Sequence, residues 1–395
     1  MSAPFKSVAQ ARLLARKKLP PAVYHYVDGG KEAEVSAHLN EVAFNRILFS
    51  PKVCAGIRET DISVNLLGKK TSMPLIVAPT GFIRIVHADG EIGAARAAAA
   101  AGVPIAISTF CGEPAGAIAD VNPDTWFQLY MIGGRSGAER SIRLAREAGC
   151  RVLVVTVDVV AITPIDRISR PLPMKVDFQS ALGFLPEVWN RPGWLLRLMR
   201  GGLDMRAPNA PPAEDGRLMH LGEAGGLLTA TPPDWEDLKW IRDQWQGPMV
   251  VKGVLRADDA VRAAAIGADA VSVSNHGGKV MDGAPSAVSV LPEIVDAAGG
   301  RLDVLLDGGV RRGADVVRAC ALGAKGVMIG RPYLWGLAAK GERGVLDILN
   351  LFERGIYSTL RQIGCPSFDR LDKTYLRPLP DQADWNRLGS DYAAP

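Results

Sequence analysis

Cysteine is scarce in this 395-residue sequence. Cys54, Cys111, Cys150, Cys320 and Cys365 are widely scattered, and no two form a CxxC pair. Neither a zinc site nor a disulfide framework is indicated, and free thiols in a reducing cytosol are the expectation. Charge of one sign is also in short supply. The 46 basic and 42 acidic residues leave a formal +4, with no Lys/Arg block. That balance gives nucleic acid no footing, although a small anion needs only a few well-placed cations. Long apolar runs are missing as well. The longest uncharged stretch, Ala97 to Gly112, is broken by Gly102 and Pro104 and is too short to span a bilayer. The N-terminus, MSAPFKSVAQARLLARKKLPP, is basic but lacks the apolar core of a signal peptide. Its Val8, Leu13, Leu14 and Leu19 predict a helix packed on a domain.

What is present is a repeated unit. Hydrophobic residues make up 48% and charged residues 22%, the balance of a soluble globular chain. From residue 74, short runs rich in Val and Ile end in polar or glycine residues. They read as strands at 74–79, 104–108, 125–130, 151–158, 249–254, 270–275, 303–308 and 326–330. Amphipathic segments such as GEIGAARAAAAAG and SGAERSIRLAREAG lie between them, each closed by a glycine. Strands buried on both faces read as nearly continuous apolar runs, as these do. Eight such βα units predict an α/β fold, a closed (β/α)8 TIM barrel. The alternative is an open Rossmann-like sheet, which the lack of a GxGxxG opening the first helix argues against. The prediction is one barrel domain over 1–395, with 1–73 as an N-terminal extension and 159–233 as a lid-like insertion after the fourth strand. The proline-rich part of that insertion, 206–216, reads equally well as a mobile surface excursion.

In such a barrel the C-terminal strand ends converge on one face. There the sequence supplies Pro79, Thr80, Ser108, Gln128, Tyr130, Thr156, Asp158, Lys252, Asn275, His276, Asp307, Gly330 and Arg331. Eight polar ends together predict a polar basin on an apolar barrel. DGGVRRG (307–313) and IGRP (329–332) follow strands seven and eight, where barrels commonly hold a phosphate. Their glycines let backbone N–H groups approach an anion, and Arg311 and Arg331 add charge. Gln128 and Thr156 can pair with the amide edges of a flat heteroaromatic ring, and Lys252 can neutralise negative charge on it. FMN fits phosphate, ribityl chain and ring together. His276 is then the candidate base, with Asp158 holding the imidazolium.

At these residues the chain resembles the FMN-dependent α-hydroxy-acid oxidase and dehydrogenase family, which includes glycolate oxidase, L-lactate dehydrogenase and mandelate dehydrogenase. The resemblance spans almost the whole chain. It rests on LPPAVYHYVDGG (19–30), FQLY (127–130), TVD (156–158), VKGV (251–254), SNHGG (274–278), LDGGVRRG (306–313) and IGRP (329–332). It implies that His276 is the catalytic base with Asp158 as partner, and that Tyr26 and Tyr130 contact substrate. It implies that Pro79, Thr80, Ser108, Gln128, Thr156 and Lys252 surround the flavin ring. Asp307 resembles the ribityl contact, and Gly309, Arg311, Gly330 and Arg331 the phosphate cradle.

Two departures stand out. The family motif continues SNHGGRQ, with an arginine that clamps the substrate carboxylate, where this chain has Lys279. A second family arginine follows strand four, and here VVAITPIDR puts Ile165 near that place, with Arg167 and Arg170 as nearby candidates. Lysine is a point charge and does not reproduce a guanidinium fork. Segments such as TPPDWEDLKWIRDQWQGP and RPYLWGLAAKG resemble the pre-mycofactocin synthase branch, which also lacks the clamp arginine and deaminates a peptide-derived substrate.

The expectation is an FMN oxidoreductase acting on a carbon bearing a hydroxyl or amino group of a specialised or larger substrate. Electrons would pass to O2, a quinone or another acceptor. Alternatives are an ordinary L-2-hydroxy-acid enzyme, a pre-mycofactocin-synthase-like deaminase, and a non-catalytic FMN scaffold. Expected partners are a small-molecule substrate and, from the resemblance, further copies of the chain in a cytoplasmic homotetramer. No metal is expected. Segment 181–200 carries Trp, Leu and Arg in amphipathic order and reads as a lid helix or a membrane-peripheral face.

Overall fold

The structure is a computed structural model that describes residues 3–166, 186–200 and 205–378. Eight parallel strands close into a barrel: β1 (Leu75–Val77), β2 (Ile105–Ser108), β3 (Thr125–Leu129), β4 (Val152–Thr156), β5 (Met249–Val254), β6 (Ala270–Val273), β7 (Asp303–Asp307) and β8 (Gly326–Ile329). Each strand pairs with the next, and β8 returns to β1 with Met328 beside Ile76. Every predicted strand is present; Met249–Val254 matches its predicted bounds, and the other seven are shorter by one to three residues. Helices follow the strands, among them Gly90–Ala100, Gly134–Glu147, Ala257–Ala265 and Gly313–Ala321.

The side-chain period of two decides what the barrel holds. Ile76, Ala106, Trp126, Val152, Val154, Val250, Ala270, Leu305 and Met328 form one buried cluster inside the barrel. Leu66, from the hairpin Val64–Leu66/Lys69–Thr71, joins it from the N-terminal end. Neighbouring residues such as Leu153, Met249, Val251 and Leu306 point out into the larger core under the helices. Two residues beyond the inner apolar layer, the same alternation must deliver Ser108, Gln128, Thr156, Lys252 and Asp307. All five are buried. The polar basin is thus the next layer of the same pattern.

The N-terminal extension packs differently from the sequence-based expectation. In the helix Val8–Lys18 the buried stripe is Val8, Ala11 and Ala15, continued by Leu19, whereas Leu13 is 61% exposed. At 100° per residue, positions 8, 11, 15 and 19 share one face and 13 lies opposite. The insertion after β4 also contains ordered packing. Ala207 and Ala210 are fully buried with Met219, Leu221, Ala224, Phe110 and Ile132. Asn209 accepts from the Ala115 N–H at 2.9 Å and donates to the Glu113 carbonyl at 2.8 Å. Segment 206–216 is therefore docked and is no free excursion.

Candidate active site

A cavity of about 520 Å³ opens at the C-terminal end of the strands. Its walls carry Tyr26, Pro79, Thr80, Ser108, Tyr130, Lys252, His276, Lys279, Asp307, Gly309, Arg311, Gly330 and Arg331, all expected from the sequence. Gln128, Thr156 and Asp158 are not on its wall. Gln128 and Thr156 lie buried at the ends of β3 and β4, and Asp158, two residues past β4, is partly buried.

His276 Nδ1 is 2.9 Å from Asp158 Oδ1. Burial alone would raise the Asp158 carboxyl, but the charge and hydrogen bond of His276, with help from Lys252, hold it below its ordinary value. The other carboxylate oxygen of Asp158 has no partner. The close approach depends on Gly253, the glycine of VKGV. It sits at a bulge with φ +112°, and a Cβ there would lie 2.6 Å from the Asp158 Cβ. His276 itself holds a φ of +56°, a strained conformation for a residue with a side chain. Its backbone N–H donates to Ser274 Oγ at 3.0 Å.

Ser274 is a hub that sequence reading missed. Its hydroxyl accepts from His276 N–H and from Lys252 Nζ at 2.9 Å, and donates to Asp307 Oδ1 at 2.7 Å. Lys252 Nζ also lies 2.8 Å from Asp307 Oδ2. Burial works against the ammonium, but Asp307 and Asp158 outweigh it and Lys252 stays above its ordinary value. Asp307, expected beside a ribityl chain, is therefore also the counter-ion of Lys252. Ser274 lies two residues before the histidine in a strand-end motif, the one signal that could have marked it.

Four rings line one side. Tyr26, Phe82, Phe110 and Tyr130 follow one another with centroid separations of 6.1, 5.8 and 5.5 Å. Tyr26 donates to the Gly81 carbonyl at 2.9 Å. Burial pushes both phenols well above their ordinary range, so both stay protonated. Phe82 and Phe110 sit in the loops after β1 and β2, and nothing in the sequence joins them. Gly222, Gly225 and Gly226, from the helix Leu221–Gly226 that packs on these rings through Leu221 and Ala224, also line the cavity.

Lys279 does not stand as a free cation. Its Nζ donates to the backbone carbonyls of Tyr26 at 2.6 Å and Gly29 at 3.0 Å, at the end of the helix Pro21–Asp28. Arg331 is anchored beside it, donating to the carbonyls of Asp28, Gly29 and Gly277 at 3.0, 2.8 and 2.7 Å. Arg311 pairs with Glu41 at 2.8 Å and lies over the Trp335 ring. Ile165 bridges to Glu32 and lines a separate cavity with Arg12, Arg16 and Tyr24, while Ile162 faces the main one. Arg167 and Arg170 lie outside the described residues. Among the described residues no group of three or more His, Cys, Asp or Glu could hold a metal ion.

The donor set fits FMN. Gln128 Oε1 is taken by Ser108 Oγ at 3.0 Å, which leaves the buried Gln128 Nε2 without a partner. Thr156 Oγ1 and Arg311 Nε are also buried and unpartnered. Such groups are costly unless a ligand satisfies them. They stand where a ring edge and a phosphate are expected, with Gln128 and Thr156 to hold the ring and Arg311, Arg331, Gly309 and Gly330 the phosphate.

Comparison with known proteins agrees. Residues 15–378 match the family described as FMN-dependent dehydrogenase. The chain is 41% identical to pre-mycofactocin synthase of Mycolicibacterium smegmatis, covering 93% of this chain and 92% of that protein. It is 39% identical to L-lactate dehydrogenase of Caulobacter vibrioides, covering 94% and 97%. Among solved structures, the monotopic membrane protein (S)-mandelate dehydrogenase superposes with a TM-score of 0.87 at 36% identity, covering 95% of this chain and 99% of that one.

Proposed function

Because the chain belongs to the FMN-dependent dehydrogenases, we propose that it oxidises a carbon bearing a hydroxyl or amino group on a substrate larger than glycolate or lactate. The bound FMN supplies the two-electron acceptor. His276, oriented by Asp158 at 2.9 Å, takes the proton from the substrate hydroxyl or amine. Tyr130, protonated, is placed to donate to the substrate, while Tyr26, whose O–H is taken by the Gly81 carbonyl, offers its oxygen as an acceptor and its ring as a wall. The ring wall and the insertion packed on it exclude water from that side.

The observation that carries the substrate reading is the commitment of Lys279 to two backbone carbonyls. Without a guanidinium fork among the described residues, a small hydroxy acid has little to orient it. The row from Tyr26 to Tyr130 instead offers apolar area to a larger, ring-bearing substrate. Anaerobic flavin bleaching with glycolate, L-lactate, (S)-mandelate and ring-bearing amines is the test. The ring-bearing compounds should reduce the flavin at least about tenfold more efficiently. Equal efficiency with glycolate would reject the reading in favour of an ordinary 2-hydroxy-acid enzyme.

For its setting we propose a cytoplasmic homotetramer, checked by sedimentation of the purified protein. A membrane-facing alternative has one observation in its favour. In the helix Pro192–Arg200, Trp194 is buried with its Nε1 donating to the Ile85 carbonyl at 2.7 Å, while Leu195, Leu196 and Met199 are exposed beside Trp189. Recovery in the membrane fraction, released by detergent and not by salt, would select it.

A further inference from the structure

Two guanidinium groups share one buried indole. The Cζ atoms of Arg12 and Arg311 each lie 5.0 Å from the centre of the Trp335 ring. Trp335 is fully buried in the helix Arg331–Lys340. Arg331 stands four residues earlier, one turn back on the same face. A single helix therefore carries one phosphate-site arginine and the ring that the other arginine lies on. The indole is an awkward residue for this place. Its Nε1 is buried without a partner among the described residues, which costs stability. A purely apolar side chain would fill core space without that cost. What the indole supplies is the best cation–π face of any side chain.

Arg311 is tied at both ends of its guanidinium. Nη1 donates to the Val310 carbonyl at 3.0 Å and Nη2 to Glu41 Oε1 at 2.8 Å. Nε is left, buried and without a partner among the described residues, on a side chain that lines the main cavity beside Gly309, Gly330 and Arg331. Arg12, from the helix Val8–Lys18, is held in turn by Asp28 through hydrogen bonds of 2.7 and 2.9 Å. The two like charges on the ring thus have a carboxylate each. Arg331 differs, because its partners among the described residues are carbonyls only. Arg331 brings uncompensated charge to a phosphate, whereas Arg311, already neutralised by Glu41, brings direction.

We propose that Trp335 is a positioning residue for the FMN phosphate. It holds the Arg311 guanidinium in the one place where Nε stays free for the phosphate, and through Arg311 it sets how strongly the protein prefers FMN to riboflavin. The ring has no contact with the cavity itself. Its effect on the cofactor passes through the arginine, and the helix Val8–Lys18 of the N-terminal extension braces it from the other guanidinium. The proposal rests on FMN as the cofactor and not on the substrate proposed above.

The test is a competition on the flavin-loaded protein. The purified protein is dialysed to equilibrium against FMN with an excess of riboflavin, and the flavin it retains is separated by chromatography. Riboflavin has the same ring and ribityl chain and lacks the phosphate, so the retained ratio reads the grip on the phosphate. Trp335→Leu should lower the FMN preference at least about tenfold. Trp335→Phe, which keeps a ring face, should lie between that variant and the parent, and Trp335→Met takes the place of the leucine variant if the latter fails to fold. Arg311→Met should lower the preference as far or further. The double variant of Trp335→Leu and Arg311→Met should fall no further than Arg311→Met alone, because the ring acts through the arginine. A ring that only fills the core would weaken both flavins together and leave the ratio at the parent value, and that result overturns the proposal. So does a double variant in which the two losses add. No substrate enters the measurement, so failure of the substrate reading leaves it untouched.

Discussion

His276 combines a φ of +56°, a 2.9 Å contact to Asp158 and a place on the cavity wall. None of its observed contacts is to the groups that fit the ring or the phosphate. His276→Ala should therefore bind FMN as before while flavin reduction by substrate falls ~10²–10⁴-fold. Flavin fluorescence titration and stopped-flow bleaching check the two halves, and reduction at the parent rate would remove His276 from the chemistry. Glu91 gives a second residue-scale prediction. It is fully buried, accepts one hydrogen bond from Gly112 N–H at 3.0 Å, and has an unpartnered Oε2. Burial raises its carboxyl from 4.5 to about 7. The folded state therefore holds this proton more tightly than the unfolded one, so its contribution to stability is full below about pH 4.5 and is lost as pH rises through about 7. Glu91→Gln should flatten that part of the stability–pH curve, by up to roughly 3 kcal/mol, in denaturant titrations across the range. An unchanged slope would show that Glu91 ionises normally.

At the scale of elements, the loop after β6 is built against the helix Val35–Asn45. Asn40 and Asn275 exchange amide hydrogen bonds of 2.7 and 3.0 Å, and Asp282 accepts from the first two N–H groups of the helix at 3.1 and 2.7 Å. The glycines of SNHGG are not open to a ligand. Their neighbours are protein instead: a Cβ on Gly277 would lie 2.7 Å from Arg331 Nη1, and one on Gly278 2.5 Å from Ala37 N. Gly309 likewise lies against Asn40, whose carbonyl oxygen would be 1.9 Å from an added Cβ. Gly278 also holds a φ of +71°. Gly278→Ala should cost about 2 kcal/mol or more of stability and weaken FMN binding, because the displaced helix carries Glu41, the partner of Arg311. Thermal melts and fluorescence titration read the two effects. A variant as stable as the parent would mean that the helix yields without cost.

One cavity joins Lys252 and Asp307 to Gly309, Arg311, Gly330 and Arg331, and among the described residues there is no open sheet of the kind that cradles a dinucleotide. Acid treatment of the purified protein should release FMN in about a 1:1 ratio, identified by chromatography, with no FAD or nicotinamide cofactor. The barrel and this polar layer were legible in the sequence for one reason: both are set by the period of two within strands. Val250 and Lys252, Trp126 and Gln128, and Leu305 and Asp307 share an inner face whatever surrounds them. That local rule, with its strand-end motifs, by itself determined the fold, the cofactor face and the His276–Asp158 candidates. Contacts between distant segments follow no local rule, and only the tertiary structure decided them. It joined Tyr26, Phe82, Phe110 and Tyr130 into one wall and seated segment 206–216. It also turned Lys279 from an expected carboxylate clamp toward the carbonyls of Tyr26 and Gly29, because a buried ammonium or amine takes the nearest acceptors, and a helix end from residues 21–28 happens to supply them.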